Sequence, residues 1–373
     1  MNRKEPLFRV VKRESSSPVR QALAYVAAVV IALLIGAALL SSMDVDPLTF
    51  YQKMVTMGIP GNKFPWRIVE NFVKLFVPLL ITSLALSLAF RMRFWNIGGE
   101  GQFIMGAICA AAAAHKLGPI LPQPLVVLVM ALCGILGGGL YGLIVALLKV
   151  RYNTNETLLT LMLNYIALYL LQFLGETKAG WNFFLDPDSA RPKFAGFPDN
   201  ADMITFPLGP FNLNLSLIIA IVLCVLLFGY LKYTKHGYEI AVVGDSPNTA
   251  RYAGMKVGRI VVRTIFLSAA LIGLAGAFYV SSAGTLSTSV TNDVGWTGIV
   301  VAWLAKLNTV GIVITALLIT VLQFGCQAAS TTYSSIDANF ADLIQGIILF
   351  VVLAMDFFTR YTLAFRKKEA KEA

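Results

Sequence analysis

Apolar runs of about twenty residues recur along the whole chain, and no other feature restricts the fold as much. A bilayer core of ~30 Å needs about 20 residues of helix to cross it. Only helices and closed barrels satisfy every backbone polar group in that medium. We read spans at 21–43, 70–90, 98–115, 123–148, 156–175, 214–232, 264–282, 296–306, 309–328 and 340–360. Ten crossings put both ends of the chain on one side. The third and eighth runs are short and marked by glycine, so partial or broken helices are expected there, and the count moves by two if they do not cross. The predicted fold class is all-α, a polytopic transmembrane helix bundle of about 10 spans.

Composition agrees. Of 373 residues, 57% are hydrophobic and 13% are charged, where a soluble domain carries about a quarter charged. The net charge of +10 is therefore read as membrane topology before nucleic-acid affinity. With the N-terminus inside, Lys and Arg fall on the cytoplasmic and external segments in a ratio of roughly three to one, as the positive-inside rule requires. Cys109, Cys133, Cys224 and Cys326 all lie within apolar runs and lack metal-site spacing, so they read as small packing residues.

The expected organisation is a cytoplasmic N-terminal tail (1–20), a membrane domain (21–360) and a cytoplasmic tail (361–373). The run after residue 20 is too long for a cleaved signal peptide and lacks a small-residue cleavage site. Within 44–69, Leu48, Tyr51, Met54 and Val55 recur at helical spacing, which predicts a helix on the membrane surface. The external loop 176–213 is rich in Pro, Asp and aromatic rings. A loop of that length is either packed on its own protein or covered by a partner.

One long polar segment, 232–263, separates two spans on the cytoplasmic side. Inside it, Ser246 can accept from the free N–H groups of a first turn. Pro247 suits the first helical position, and Gly254 supplies a left-handed stop. Two turns of helix flanked by Lys232, Lys235, Lys256, Arg259 and Arg263 make a surface knob, placed for a cytosolic partner to grip.

Residues 94–106 place three glycines around Glu100 at the start of an apolar run. Glycine allows close backbone approach or a helix break, and Glu100 and Gln102 at membrane depth are functional candidates by default. The alternative is that Glu100 pairs with Arg91 or Arg93 and pins a helix end. A second glycine-marked piece runs from Asp293 to Gly298. Short, interrupted segments in both halves are what repeat-built transporters place beside their pathway. Asn164 and Gln172 are eight residues apart and can share a face, and Gln323 lies in the ninth span. Enzyme signatures are missing. His115 and His236 fall on opposite sides of the membrane, and no phosphate-binding G-x-x-x-x-G-K-[ST] loop is present.

Three stretches carry a resemblance: Asn96–Gln102, Asn155-Glu156 with Met162–Tyr165, and Gly244–Gly254. Together they resemble the inner-membrane permeases of ABC importers, in the simple-sugar and nucleoside branch served by basic-membrane-protein lipoproteins, which is related to the ribose and branched-chain amino-acid permeases. The resemblance covers roughly 65–360. It implies a permease subunit without its own ATPase site, in the cell membrane. It also implies a second and often non-identical permease, an ATPase with two nucleotide-binding modules that carries ATP and Mg, and an external binding lipoprotein. On that reading Ser246, Pro247, Asn248, Arg251, Tyr252, Gly254 and Met255 couple to the ATPase. Glu100, Gln102, Asn164 and Gln323 are the candidate pathway residues. The competing reading is a self-sufficient secondary carrier or channel for a small polar solute.

Overall fold

The computed structural model describes residues 8–12, 18–60, 62–330, 333 and 340–365. Strand β1 (Phe8–Lys12) precedes α1 (Pro18–Ser42), α2 (Pro47–Thr56) and α3 (Pro65–Arg91). Helices α4 (Gly99–Leu117), α5 (Gln123–Tyr152) and α6 (Glu156–Glu176) follow. A hairpin, β2 (Thr205–Leu208) with β3 (Phe211–Asn214), leads into α7 (Leu215–Tyr233), α8 (Lys235–Asp245), α9 (Pro247–Tyr252) and α10 (Val257–Ala283). The chain ends with α11 (Val294–Leu304), α12 (Thr309–Ser330), α13 (Phe340–Arg360) and β4 (Tyr361–Phe365).

Each expected span falls on a helix, and the molecule is a polytopic helical membrane bundle. Among the described residues, six helices (α3, α5, α6, α7, α10 and α12) are long and apolar enough to cross a membrane. Helix α11 has 11 residues, about 16 Å of rise, too little to cross alone. Two boundaries differ from expectation. Helix α3 starts at Pro65 instead of 70, and α10 at Val257 instead of 264. The charges of Arg67, Glu70, Arg259 and Arg263 interrupt the apolar runs, yet helices continue through them because their long side chains reach past the apolar surface.

The chain divides into two compact units, Met1–Pro60 with Val321–Ala373, and Gly61–Thr320. In the first, α1 packs on α13 and Leu40, Phe50, Leu322, Phe340 and Ile344 form the core. The helix expected within 44–69 forms as α2, which the Asp46 carboxylate caps by accepting from Leu48 N (3.3 Å) and Thr49 N (3.1 Å). Its buried side, however, is Phe50 and Met54, while Leu48 and Val55 point outward. The tails are not simply polar extensions. Strand β1 pairs antiparallel with β4, Phe8 opposite Phe365 and Lys12 opposite Tyr361. The rest of both expected tails, 1–7, 13–17 and 366–373, lies outside the described residues.

In the second unit α10 is central and packs on α5, α4 and α3. The close approach centres on Gly273, where an added Cβ would stand 2.1 Å from the Gly134 carbonyl oxygen. Gly106 and Gly138 face the same point, so the crossing is built from small residues, as membrane helices require without a hydrophobic drive between them. The 176–213 loop packs on its own protein. Asn182 Nδ2 donates to the carbonyls of Leu174 (2.7 Å) and Thr177 (2.8 Å). Bridges join Leu185 to Phe194 and Gly196 to Thr285. The His115 ring meets Phe184 and Phe197 edge-on. Trp181 and Phe206 remain exposed.

Candidate functional site

Two places gather the candidate residues: a buried polar knot inside the bundle and the knob on α9. In the knot, α4 and α11 meet start to start. An added Cβ at Gly295 would lie 2.4 Å from the Glu100 backbone nitrogen, so only glycine admits this contact. Glu100 Oε1 accepts from the backbone N–H of Gly295 (2.9 Å) and Trp296 (3.3 Å). These are orphan donors of the first turn of α11, and a carboxylate there also meets the positive end of the helix dipole. The pairing of Glu100 with Arg91 or Arg93, entertained above, does not occur. Arg91 instead donates to the Leu307 carbonyl through Nη2 (2.6 Å) and Nε (3.2 Å), which ties α3 to the turn after α11.

Asn164 of α6 serves both sides of the break before α4. Its Oδ1 accepts from Gly101 N (2.8 Å) and its Nδ2 donates to the Ile97 carbonyl (2.9 Å). Gln102 and Asn96 exchange amide hydrogen bonds at 3.1 and 3.2 Å. The Ile97 N–H reaches Thr160 Oγ1 at 3.3 Å. Glu100, Gln102, Asn96 and Asn164 are all buried. The structure thus brings three of the four candidate pathway residues into one network at the starts of α4 and α11. Of these helices, α11 is short as expected, whereas α4 runs unbroken for 19 residues. Asn96, Thr160 and Gly295 belong to the network as well and were not singled out from sequence. The Asn-x-Gly pattern ahead of α4 was the available signal for Asn96. Gln323 is half-buried on α12 in the first unit and stands apart from this knot in the chain's division.

At the knob, Ser246 Oγ accepts from Thr249 N (3.2 Å) and Gly254 takes a φ of +77°. Both ends are therefore marked as the sequence implied. Ala250 is fully buried among Met92, Phe94, Ile240, Val243 and Ile260, which anchors the inner face. Met255 is half-buried against the same cluster. Pro247, Asn248 and Arg251 are exposed, and the Arg251 guanidinium donates to Asn248 Oδ1 at 3.2 Å. Tyr252 is 94% exposed. The base is braced by Arg263 of α10, whose Nη2 meets Glu239 Oε2 of α8 at 2.9 Å. Hydrogen bonding from Arg263 holds the Glu239 carboxyl below its usual range. Across the turn between α5 and α6, Lys149 and Glu156 pair at 2.8 Å.

Residues 68–353 match the family model described as the branched-chain amino acid transport system / permease component. The chain belongs to this permease family. It is 27% identical over 337 residues to the nucleoside ABC transporter permease protein NupB of Lactococcus lactis subsp. cremoris, covering 89% of this chain and 91% of that one. It is 28% identical over 308 residues to the guanosine ABC transporter permease protein NupP of Bacillus subtilis, covering 81% and 85%. The glucose ABC transporter permease protein TsgB13 of Haloferax volcanii is 27% identical over 343 residues, covering 89% and 87%. The chain is thus an integral membrane permease subunit of an ABC importer.

Proposed function

We propose that this permease carries a nucleoside or simple sugar across the cell membrane, with both of its ends in the cytosol. It forms the pathway with a second permease, receives solute from an external binding lipoprotein, and leaves ATP and Mg to a partner ATPase with two nucleotide-binding modules. The observation that carries this reading is Tyr252, 94% exposed on a six-residue helix whose other face is locked by buried Ala250. A large ring held rigidly in water is a contact awaiting a partner. ATP-driven movement of that partner would shift the knob and bias the bundle between outward- and inward-facing arrangements. In this scheme Glu100, Gln102 and Asn164 hold α4 and α11, the helices that shape the pathway. The solute class is supported by the nucleoside and sugar permeases among the relatives.

Variants Arg251→Glu and Tyr252→Ala test the coupling role. Loss of a central contact is worth at least ~1.4 kcal/mol, about tenfold. ATP-dependent uptake of labelled nucleoside or sugar into membrane vesicles should fall by that factor or more, with the permease still inserted and the ATPase no longer co-purifying. Undiminished uptake in both variants would remove α9 as the coupling element.

A further inference from the structure

An open groove of about 1250 Å³ runs beside the knob, between the ends of α5, α8 and α10. Small-ligand sites are typically ~300–1,000 Å³ and more enclosed. Six cationic side chains line it (Arg93, Lys149, Arg251, Lys256, Arg259 and Arg263) against one carboxylate, Glu156. That carboxylate is already held by Lys149. Among the described residues, Arg93, Lys256 and Arg259 form no ion pair. Arg263 gives Nη2 to Glu239, but its Nε is buried without a hydrogen-bond partner. Charge and donors therefore accumulate here beyond what the protein uses.

Much of the remaining lining is apolar: Leu143 and Val150 of α5 and Val261, Val262 and Phe266 of α10. On α10, Arg259, Val262, Arg263 and Phe266 recur at the spacing of a single helix face, so charge and apolar surface alternate along the groove. Ile144 and Leu147 on α5 are exposed as a lipid-facing surface is. A ligand with an anionic head and an apolar tail matches this mixed lining. Basic pockets between spanning helices at a membrane face bind anionic lipid headgroups, and guanidinium–phosphate hydrogen bonds are among the stronger polar contacts.

We propose that this groove binds an anionic phospholipid of the adjacent leaflet. The phosphate meets Lys256 and Arg259, and one acyl chain lies over Val150 and Phe266. Because Pro247 and Arg251 also border the groove, an occupied site braces the knob against α5 and α10. Lipid composition then becomes an input to coupling that acts from outside the solute pathway. An acidic protein segment would meet the cations but leave Leu143, Val262 and Phe266 without an apolar partner.

The test uses the permease purified with its ATPase in neutral detergent, followed by native mass spectrometry. Phosphatidylglycerol, phosphatidylcholine and inorganic phosphate are titrated separately. Phosphatidylglycerol should be retained at about tenfold lower concentration than phosphatidylcholine. The Lys256→Gln/Arg259→Gln variant should lose most of that preference, and Lys235→Gln, which lies outside the groove, should keep it. Where the double variant is not recovered intact, Arg259→Gln alone is scored in the same way. Equal retention of the two lipids, or an unchanged preference in the groove variant, overturns the proposal. So does loss of the preference in Lys235→Gln, or displacement of phosphatidylglycerol by inorganic phosphate at equal concentration.

Discussion

Asn164 shows how single side chains hold this membrane protein together. One amide satisfies the Gly101 N–H and the Ile97 carbonyl on either side of the start of α4. Leaving such buried groups unpaired costs about 1–3 kcal/mol. Asn164→Ala should therefore lower the thermal unfolding temperature of the purified protein by several degrees, while Asn164→Asp, which keeps the acceptor for Gly101, should lose less. Glu239 makes a different residue-scale statement. Arg263 depresses its carboxyl in the folded state, so its contribution is complete above the unfolded carboxylate value of about 4.3 and disappears as pH falls through the lower folded value. A melting profile against pH should show Glu239→Gln less stable than wild type at neutral pH, with the gap closing below that range. A gap of constant size across the series would show that the ion pair contributes nothing. The sequence singled out the Asp293–Gly298 piece as a counterpart to the Glu100 stretch but not the hydrogen bonds between them: Gly295 and Trp296 are almost two hundred residues away, and an acid near Arg91 and Arg93 points by proximity to the wrong partner. Caps, by contrast, are local. Ser246 and Gly254 could be read because their chemistry acts within a few residues.

Helices were legible as elements because apolar runs of membrane length have few other uses, and their ends were not legible wherever charge continues a helix. Arg259 and Arg263 lie on α10 although they look like loop residues, and the same pair extends the base on which the knob stands. The pairing of β1 with β4 joins the two ends of the chain and left no local signal. What an apolar run also hides is which face packs. On α5 the answer comes from glycine: Gly134 and Gly138 face Gly273 of α10, and Leu128, Leu132, Leu136 and Leu140 turn outward. Two glycines therefore separate packing from permissiveness. Gly273→Leu places side-chain atoms where the Gly134 carbonyl stands, and overpacking of this kind costs at least ~1–3 kcal/mol. It should abolish monodisperse protein on size-exclusion chromatography in detergent. Gly229→Ala on α7, where nothing lies within 4 Å of the added Cβ, should elute and melt like wild type. If Gly273→Leu behaves like Gly229→Ala, the α10 crossing is looser than this geometry requires.

For the whole molecule, the proposed function places the drive at the knob and the solute path beside the polar knot, two separate parts of the fold. The knob stands on a cluster shared by α3, α5, α8, α9 and α10, and from there α10 packs on α4 and α3 packs on α11. Motion applied at α9 would therefore have a packed route to the two helices that meet at the knot, whereas a self-driven carrier needs an ionisable group that changes partners within the membrane. Glu100 is the acid buried at the knot, and its oxygen is engaged by the first turn of α11. In that position it fastens a helix and is poorly placed to relay protons. Proteoliposomes distinguish the two drives. Permease reconstituted with its ATPase and binding protein should accumulate labelled solute only when ATP and Mg are supplied. Permease reconstituted alone should show no uptake above protein-free vesicles, whether a proton or a sodium gradient is imposed. Gradient-driven accumulation by the permease alone would transfer the drive from α9 to the membrane interior, and Glu100→Gln would then be the variant expected to abolish it. Under ATP drive, the same substitution preserves the acceptor for Gly295 and Trp296, and transport should persist.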